Sequence, residues 1–182
     1  MMESDDLTLV TESREGSTKA FEAIVDKYQR VIFNVALRML GNYDDAQDIT
    51  QVVFIKAYEN LRTFNPKYKF FSWLYRIAVN EATNSLNLRK RNEPLVYDPV
   101  ARDKNPEERY DDAELSRNIQ KALMELNPDS RIVLVLKHFQ DCSYREMSYI
   151  LDIPEKTVKS RLFTARQLLG NILMRRGLVD HD

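Results

Sequence analysis

Apolar residues recur three or four positions apart along most of this chain, which has only four glycines among its 182 residues. This spacing places apolar side chains on one face of an α-helix, whereas a half-buried strand needs apolar and polar residues in alternation. Alternating runs rich in β-branched residues are scarce in this sequence. The pattern therefore predicts an all-α fold and argues against a large sheet.

A segment near the middle divides the helical pattern in two. Residues 93–112 contain three prolines and seven acidic residues but few large apolar side chains. Such a composition cannot bury a core and is typical of an extended or disordered linker. We therefore predict two small helical domains, residues 1–92 and 113–182, joined by this acidic linker. Its acidity either keeps it solvated or imitates nucleic acid in a basic channel of a partner.

Start and stop signals predict three helices in the N-terminal half. Ser17 is a suitable N-cap for the first helix, which Gly41 ends. Asp44 or Asp45 can cap the second helix, and Ser72 can cap the third. A loop separates the second helix from the third, because an Asn-Pro pair interrupts the pattern there.

The second helix has an apolar side and a polar side. The predicted buried stripe consists of Ile49, Val52, Val53, Ala57, Tyr58 and Leu61. The opposite side presents Asp45, Asp48, Gln51 and Lys56. Phe54 lies partly off the stripe, so it either docks on a partner or packs against a neighbouring helix. The sequence leaves both alternatives open.

The formal net charge of −1 hides two basic segments. Residues 62–91 hold seven cationic side chains and one acidic one, and residues 155–176 hold six and one. Residues 1–60, by contrast, hold eleven acidic and six cationic side chains. Two basic segments separated by acidic ones suggest two contacts with one polyanion.

Aromatic and amide side chains are interleaved with the cations of the first basic segment. The rings are those of Phe64, Tyr68, Phe70, Phe71, Trp73 and Tyr75. Cations that follow phosphates, beside rings on which bases stack, are what a single-stranded nucleic-acid surface requires. Since one helix face cannot bury six rings, we expect some in the core and some facing nucleic acid. Arg76, Asn80 and Asn84 share one helix face, where they can read base edges or hold phosphates.

The clearest local signature lies near the C-terminus. Ser143 and Glu146 form a capping box that starts a short helix, and a long basic helix runs from Glu155 to about Leu173. Two helices joined by a tight turn, the second of them basic, are typical of a helix-turn-helix whose second helix enters the major groove. The outward residues near its start are Glu155, Lys156, Thr157, Lys159, Ser160 and Phe163. A helical hairpin with a solvated basic face is the alternative.

The sequence lacks the residues that several classes of function require. The sequence has no glycine-rich phosphate loop, HExxH or GxSxG motif, so we expect neither catalytic residues nor a cofactor. Cys142, the single cysteine, and His138 are too small a ligand set for a zinc site. No apolar run reaches the roughly 18 residues that cross a bilayer, and Met1–Ser17 is too acidic for a signal peptide. We therefore expect a cytoplasmic protein without a metal site.

Taken in order, three segments resemble one known family. They are DITQVVFIKAYENL at 48–61, FSWLYRIAVN at 71–80 and SYREMSYILDIPEKTVKSRLFTAR at 143–166. The chain resembles a bacterial RNA polymerase sigma factor of the extracytoplasmic-function group of the sigma-70 family, close to the sigma-E type. The resemblance covers about residues 7–92 and 114–174, and it implies a sigma region 2 bundle followed by a region 4 helix-turn-helix.

The resemblance implies a role for each part of the chain. Docking on the clamp helices of the core RNA polymerase β′ subunit would use Asp45, Asp48, Gln51 and Phe54. Capture of the promoter minus-10 element as a single strand would use Phe64, Lys69, Phe71, Trp73, Arg76, Asn80 and Asn84. Reading of the minus-35 element as duplex would use Lys156, Thr157, Lys159, Ser160, Phe163 and Thr164.

The resemblance also implies partners. They are the polymerase β flap, promoter DNA and an anti-sigma factor, with a monomer as the free form. Two positions depart from the family pattern: Thr164 stands where an Arg is frequent, and Ser148 where a small Ala is usual. A stand-alone helix-turn-helix repressor or activator, with the first 90 residues as a sensor or dimerisation domain, is the competing hypothesis.

Overall fold

The computed structural model describes residues 3–92 and 110–179, with side chains at 5–89 and 114–179. Within these ranges the chain is helical and contains no strand, which confirms the all-α prediction. The helices are α1 (Glu3–Arg14), α2 (Thr18–Leu40), α3 (Tyr43–Asn60), α4 (Phe70–Asn92), α5 (Tyr110–Met124), α6 (Pro128–Leu134), α7 (Tyr144–Leu151) and α8 (Glu155–Arg175). Most of the predicted linker lies outside the described residues, although α5 begins three residues before the expected start at Ala113.

Helix α2 is the centre of the N-terminal domain, because it packs against α1, α3 and α4. Its inward side chains include Ile24, Ile32 and Met39, which are fully buried. A polar contact holds α1 against α2. The buried Asp6 carboxylate accepts hydrogen bonds from the Tyr28 hydroxyl at 2.7 Å and from Lys27 Nζ at 2.5 Å.

The helix ends follow some of the predicted signals and correct others. Ser17 caps α2, and Gly41 ends it with φ 72° in the left-handed region, both as predicted. Helix α3, however, is capped by Asn42, whose side-chain oxygen accepts the Asp45 N–H at 3.0 Å. Asp44 and Asp45 therefore lie in the first turn, where their charge is favourable near the N-terminal end of the helix dipole.

Helix α4 begins three residues earlier than a cap at Ser72 predicts. The Lys69 carbonyl accepts the N–H groups of Ser72 at 3.0 Å and Trp73 at 3.3 Å, so the first turn is already closed at Phe70. Ser72 is 2% exposed and packs inward, so it is not the N-cap. This earlier start determines which of the aromatic side chains face the core.

The C-terminal domain forms around α8, which packs against α5, α6 and α7. The predicted single helix from Asp129 to Phe139 is in fact α6, capped by Asn127, followed by one π-helical turn over Val135–Phe139. Such turns insert a residue and redirect the side chains after it. Here the Phe139 ring lies 3.7 Å from the Arg38 guanidinium of α2, in the other domain.

The predicted helix-turn-helix is confirmed in its local geometry. The Ser143 hydroxyl accepts the Glu146 N–H at 3.2 Å, and the Glu146 carboxylate accepts the Ser143 N–H at 2.7 Å, which is a complete capping box. Asp152 ends α7 in the left-handed conformation, with φ 56°, and α8 starts three residues later.

The two domains share a buried cation. Arg131 of α6 is 6% exposed and donates hydrogen bonds to the carbonyls of Leu123 at 2.9 Å and Leu126 at 2.8 Å, and also to that of Met39 at the end of α2. The carbonyls of Leu123 and Met39 belong to the last turns of α5 and α2, where the dipole attracts positive charge, and Leu126 follows α5 closely. One guanidinium thus satisfies backbone acceptors in both domains.

Replacing Arg131 by Met should lower the free energy of unfolding by about 3 kcal/mol, because several buried carbonyls lose a charged donor together. Urea unfolding followed by circular dichroism measures the change. Arg145→Met is the control, since Arg145 is exposed and its loss should cost less than about 0.5 kcal/mol. Equal effects of the two substitutions would contradict the stabilising role of Arg131.

Candidate nucleic-acid interface

The first basic segment forms a cationic and amide-rich surface on α4 and the loop before it. This surface, called the α4 face below, is made of Tyr68, Lys69, Phe71, Arg76, Asn80 and Asn84. Asn80 and Asn84 are exposed four residues apart, on one side of the helix as predicted, and Phe71 and Arg76 are half-buried. The face therefore combines cations, amides and accessible rings.

Four of the six aromatic rings of this segment lie in the core. Phe64, Phe70, Trp73 and Tyr75 are between 3% and 7% exposed. Phe64 contacts Phe70 with centroids 5.3 Å apart, and Trp73 lies 5.8 Å from Phe64 and 5.5 Å from Phe70. Tyr68, by contrast, is 42% exposed. Because α4 starts at Phe70, residues 70, 73 and 74 share the inward face of the helix. Phe64 comes before the helix and packs against Phe70 and Trp73. Phe64 and Trp73 therefore lie beneath the surface and not on it.

Arg14 supports the loop that precedes α4, and the sequence did not single it out. Its guanidinium donates to the Leu61 carbonyl at 2.9 and 3.1 Å and to the Phe64 carbonyl at 2.7 Å. It also lies 5.9 Å from the centre of the Phe64 ring. The first helix thereby holds the backbone at Leu61 and Phe64, where the segment that leads to Tyr68 and Lys69 begins. An Arg at the end of a short helix carries no sequence signal for such a long-range contact.

Helix α3 presents a second exposed surface, beside α4. Asp48 and Gln51 are exposed, as predicted, while Asp45 is half-buried and paired with Arg89 of α4. Phe54 is 8% exposed, so it packs inside the domain, and this decides between the two alternatives that the sequence left open.

Two apolar side chains of α3 are exposed. Ile55, which the pattern places partly off the buried stripe, is 58% exposed, and Tyr58, which was predicted to be buried, is 51% exposed. The helix phase is therefore rotated slightly from the predicted stripe. A cavity of about 410 Å³ lies between α3 and α4, and its lining is Ile49, Val52, Glu81, Asn84, Ser85, Leu88 and Arg89.

Helix α8 presents the predicted basic face. Lys156, Lys159, Ser160, Phe163 and Thr164 are exposed, and Thr157 is half-buried. Phe163 is 64% exposed, more than any other large apolar side chain in the described residues. No side chain caps the start of α8, so its first N–H groups are available to an anion such as a phosphate. The surface suits a helix that lies in a DNA groove.

The unusual Ser148 of α7 has a local partner. Its hydroxyl donates a hydrogen bond to the Ile153 carbonyl at 2.6 Å, across the turn between α7 and α8. A serine in place of the usual alanine brings a hydroxyl to a half-buried position, which costs free energy when the hydroxyl has no partner. This bond offsets that cost, because the hydroxyl is satisfied within the motif.

The α4 face is in contact with α7. Lys69 Nζ lies 3.1 Å from a Glu146 carboxylate oxygen, and Arg76 lies 3.1 Å from Asp152. Arg76 also donates to the Tyr149 carbonyl at 3.1 Å. The Tyr68 and Tyr149 rings are stacked, with centroids 3.8 Å apart and planes 16° apart.

We call these contacts the α4–α7 clamp. Its N-terminal side is formed by Tyr68, Lys69 and Arg76, and its C-terminal side by Glu146, Tyr149 and Asp152. A neighbouring contact, from the Tyr75 hydroxyl to the Gln140 side-chain oxygen at 2.7 Å, joins the same two domains.

Within the described residues, no group of three or more His, Cys, Asp or Glu side chains is placed to hold a metal ion. No helix among them is long and apolar enough to cross a membrane. Cys142 is buried, and this burial raises the pKa of its thiol to about 12, so the thiolate is not formed near neutral pH.

Comparison with known proteins assigns both domains. Region 2 of the sigma-70 family matches residues 24–92, and region 4 of that family matches residues 116–169. The RNA polymerase sigma-H factor of Pseudomonas aeruginosa is 32% identical over 185 residues, covering 95% of this chain and 96% of the relative. The ECF RNA polymerase sigma factor SigW of Bacillus subtilis is 36% identical over 172 residues, covering 88% of this chain and 92% of the relative.

The fold agrees with this assignment. The structure of CnrH, solved in complex with the cytosolic domain of CnrY, is similar with a TM-score of 0.73 and 25% sequence identity. The similarity covers 94% of this chain and 98% of CnrH. The chain therefore belongs to the sigma-70 family of RNA polymerase sigma factors, and within it to the extracytoplasmic-function group.

Proposed function

We propose that the α4 face binds the promoter minus-10 element as a single strand while α8 binds the minus-35 element as duplex. The observation that carries this proposal is the placement of exposed cations and amides on α4 and of a separate basic helix in the other domain. Lys69 and Arg76 would hold phosphates, Asn80 and Asn84 would meet base edges, and Tyr68 and Phe71 would stack on bases. Phe64 and Trp73 act from beneath, by holding this surface in place.

In the second domain, α8 would lie in the major groove. Lys156 and Lys159 would contact phosphates, and Thr157, Ser160 and Thr164 would meet base edges. The exposed Phe163 ring offers an apolar contact of the kind that a thymine methyl group can satisfy. Thr164 in place of a frequent Arg changes one potential base contact, so the preferred minus-35 sequence would differ from that of sigma-E relatives.

The chain would need core polymerase to open a promoter. DNA stacking averages about 1.4 kcal/mol per base-pair step, so a bubble of roughly ten steps costs on the order of 14 kcal/mol. Stacking of a base on an aromatic ring returns about 1–3 kcal/mol. One or two accessible rings cannot supply the difference. The polymerase must provide the rest, and this chain needs no catalytic step or cofactor of its own.

We assign polymerase docking to the exposed side of α3. Asp48 and Gln51 would contact the β′ clamp helices directly, with Asp45 and Phe54 supporting the surface from the side and from within. The exposed Ile55 adds an apolar contact. The C-terminal domain would dock on the β flap.

Further partners follow from the family. CnrH was solved in complex with the cytosolic domain of CnrY. We propose that this chain also binds a regulatory protein, and membership of the family implies that this protein is an anti-sigma factor. The chain's site of action would be the cytoplasm, where polymerase and chromosome are found, and the free form would be a monomer. The alternative of a stand-alone repressor or activator is disfavoured, because residues 24–92 match sigma region 2 rather than a sensor domain.

Adding the chain to core polymerase should produce new promoter-specific transcripts in a run-off assay on genomic templates, because it supplies both DNA contacts. The control is core polymerase alone. A duplex-binding repressor could not give core polymerase new start sites. A transcript pattern unchanged by the chain would refute the proposed function.

Two double substitutions should separate docking from promoter opening. Asp48→Ala with Gln51→Ala should weaken core binding about tenfold, since both side chains are exposed on α3. Asn80→Ala with Asn84→Ala should leave core binding unchanged but reduce opening about tenfold. Alanine is a good helix former, so neither change should unfold a helix. Fluorescence anisotropy measures core binding, and permanganate reactivity of unpaired thymines measures opening.

These exposed positions are better probes than the neighbouring aromatic residues. Phe54 and Trp73 are both buried, so alanine at either site would leave a cavity that costs about 3–5 kcal/mol of stability. If the two double variants lost core binding equally, the division between the surfaces of α3 and α4 would be wrong.

A further inference from the structure

We propose that α7 substitutes for promoter DNA on the α4 face and so keeps the free chain closed. In the α4–α7 clamp, two carboxylates form ion pairs with the cations that would hold phosphates. One tyrosine ring stacks on the ring on which a base would stack. The inference rests on the proposed function of the α4 face, and it adds an internal competitor for that surface.

The carboxylates are positioned as phosphate oxygens would be. Glu146 and Asp152 each lie 3.1 Å from their cationic partners, Lys69 and Arg76. Burial alone would raise the pKa of Glu146, but hydrogen bonds from Ser143 and the charge of Lys69 outweigh that effect and lower it. Glu146 is therefore ionised at neutral pH, and it presents a fixed negative charge to Lys69.

The ring contact imitates a base in the same way. Tyr149 covers Tyr68 in a nearly parallel stack at 3.8 Å, which is the arrangement that a captured base would adopt. Tyr68 is still 42% exposed, so Tyr149 covers only part of it. A single strand and α7 thus cannot occupy the α4 face together.

The closed arrangement cannot reach both promoter elements. Asp152, which contacts Arg76, lies three residues before the start of α8. At most about 11 Å of backbone therefore separates this contact on the α4 face from the first residue of α8. The two elements are roughly 25 base pairs apart, or about 85 Å along the duplex. The 17 residues between α4 and α5 have a fully extended length of about 60 Å. Separation of the domains is therefore required for binding, and it must also break the hydrogen bond from Arg131 to the Met39 carbonyl. The connecting segment supplies about 60 Å of the span, and the domains themselves have to cover the rest.

The clamp is built to be released. The side chains of Lys69, Arg76 and Asp152 are 49%, 34% and 80% exposed, whereas that of Glu146 is 18% exposed. An ion pair with at least one well-exposed partner is individually weak and is screened by salt, most of all the pair of Arg76 with Asp152. A polyanion or a polymerase surface can therefore displace these pairs. While the clamp is closed, the apparent DNA affinity is reduced in proportion to the open fraction.

The test removes the two charges without disturbing the backbone. Glu146→Gln keeps a capping box, since Gln serves at that position, and Asp152→Asn keeps a residue that accepts the left-handed conformation. The double variant of the full chain is titrated against a fluorescent single-stranded DNA dodecamer of random sequence. We expect it to bind about tenfold more tightly than the unsubstituted chain.

A matched control separates release of the clamp from the change in net charge. Asp141→Asn with Glu114→Gln removes the same two negative charges from exposed positions, and Asp141 is also left-handed, with φ 48°. Neither residue is in the clamp. We expect the control to bind the dodecamer as the unsubstituted chain does. Equal tightening in both variants, or no tightening in Glu146→Gln with Asp152→Asn, would overturn the proposal.

A second readout separates this proposal from the one on which it rests. If no form of the chain binds the dodecamer, the minus-10 function of the α4 face is wrong. The clamp is then judged by the distance between dyes attached at the exposed positions Asn87 and Arg145, measured without DNA. A longer distance in the double variant would support the clamp, and an unchanged distance would refute it.

Discussion

The cations of the α4 face need negatively charged partners, and in the closed chain they find them on α7. This need connects the fold to the proposed function. In the described structure Lys69 and Arg76 meet the carboxylates of α7. On a promoter they would meet phosphates instead. The same helix packs Trp73 and Phe70 into the core on its other side, so the position of these cations is set by the aromatic cluster beneath them. A rigid inner face and an exchangeable outer face thus belong to one helix.

The contact between the domains has two parts that differ in solvent exposure. At the end of α2, the buried Arg131 joins carbonyls of both domains, and Gln120 donates to the Leu37 carbonyl at 3.1 Å. A side chain at Gly41 would meet Met124, so that approach is close. The clamp on α4 is far more exposed. Salt and polyanions would reach it first, so in our proposal the clamp is the part of the interface that responds to DNA.

Much of the fold could be predicted from local chemistry. The capping box at Ser143, the cap at Ser17 and the end of α2 at Gly41 depend on neighbouring residues alone, and each was predicted correctly. One local signal was missed, because Asn42 caps α3 instead of Asp44 or Asp45. The other failures concern the start of a helix or the direction in which its side chains point. Helix α4 starts at Phe70 rather than at a Ser72 cap, and the π-helical turn that ends α6 redirects Phe139 toward α2.

The candidate site was predicted as a set of residues but not as an arrangement. Residue types and spacing indicated cations, amides and rings that suit nucleic acid, and the exposed Asn80 and Asn84 agree with that pattern. Which rings are buried depends on the register of α4, which the sequence does not show directly. The role of Arg14 and the covering by α7 involve residues about 50 to 80 positions apart in the chain, and no local pattern encodes such contacts.

The most direct test of this account is the dye-to-dye distance between Asn87→Cys on α4 and Arg145→Cys on α7, compared in the free chain and on core polymerase. Cys142 should not compete for the dyes, because its thiol is buried with a raised pKa. We predict efficient energy transfer in the free chain and a large loss of transfer when core polymerase is added. Equal transfer in the two states, or weak transfer in the free chain, would contradict a closed form that opens on the polymerase.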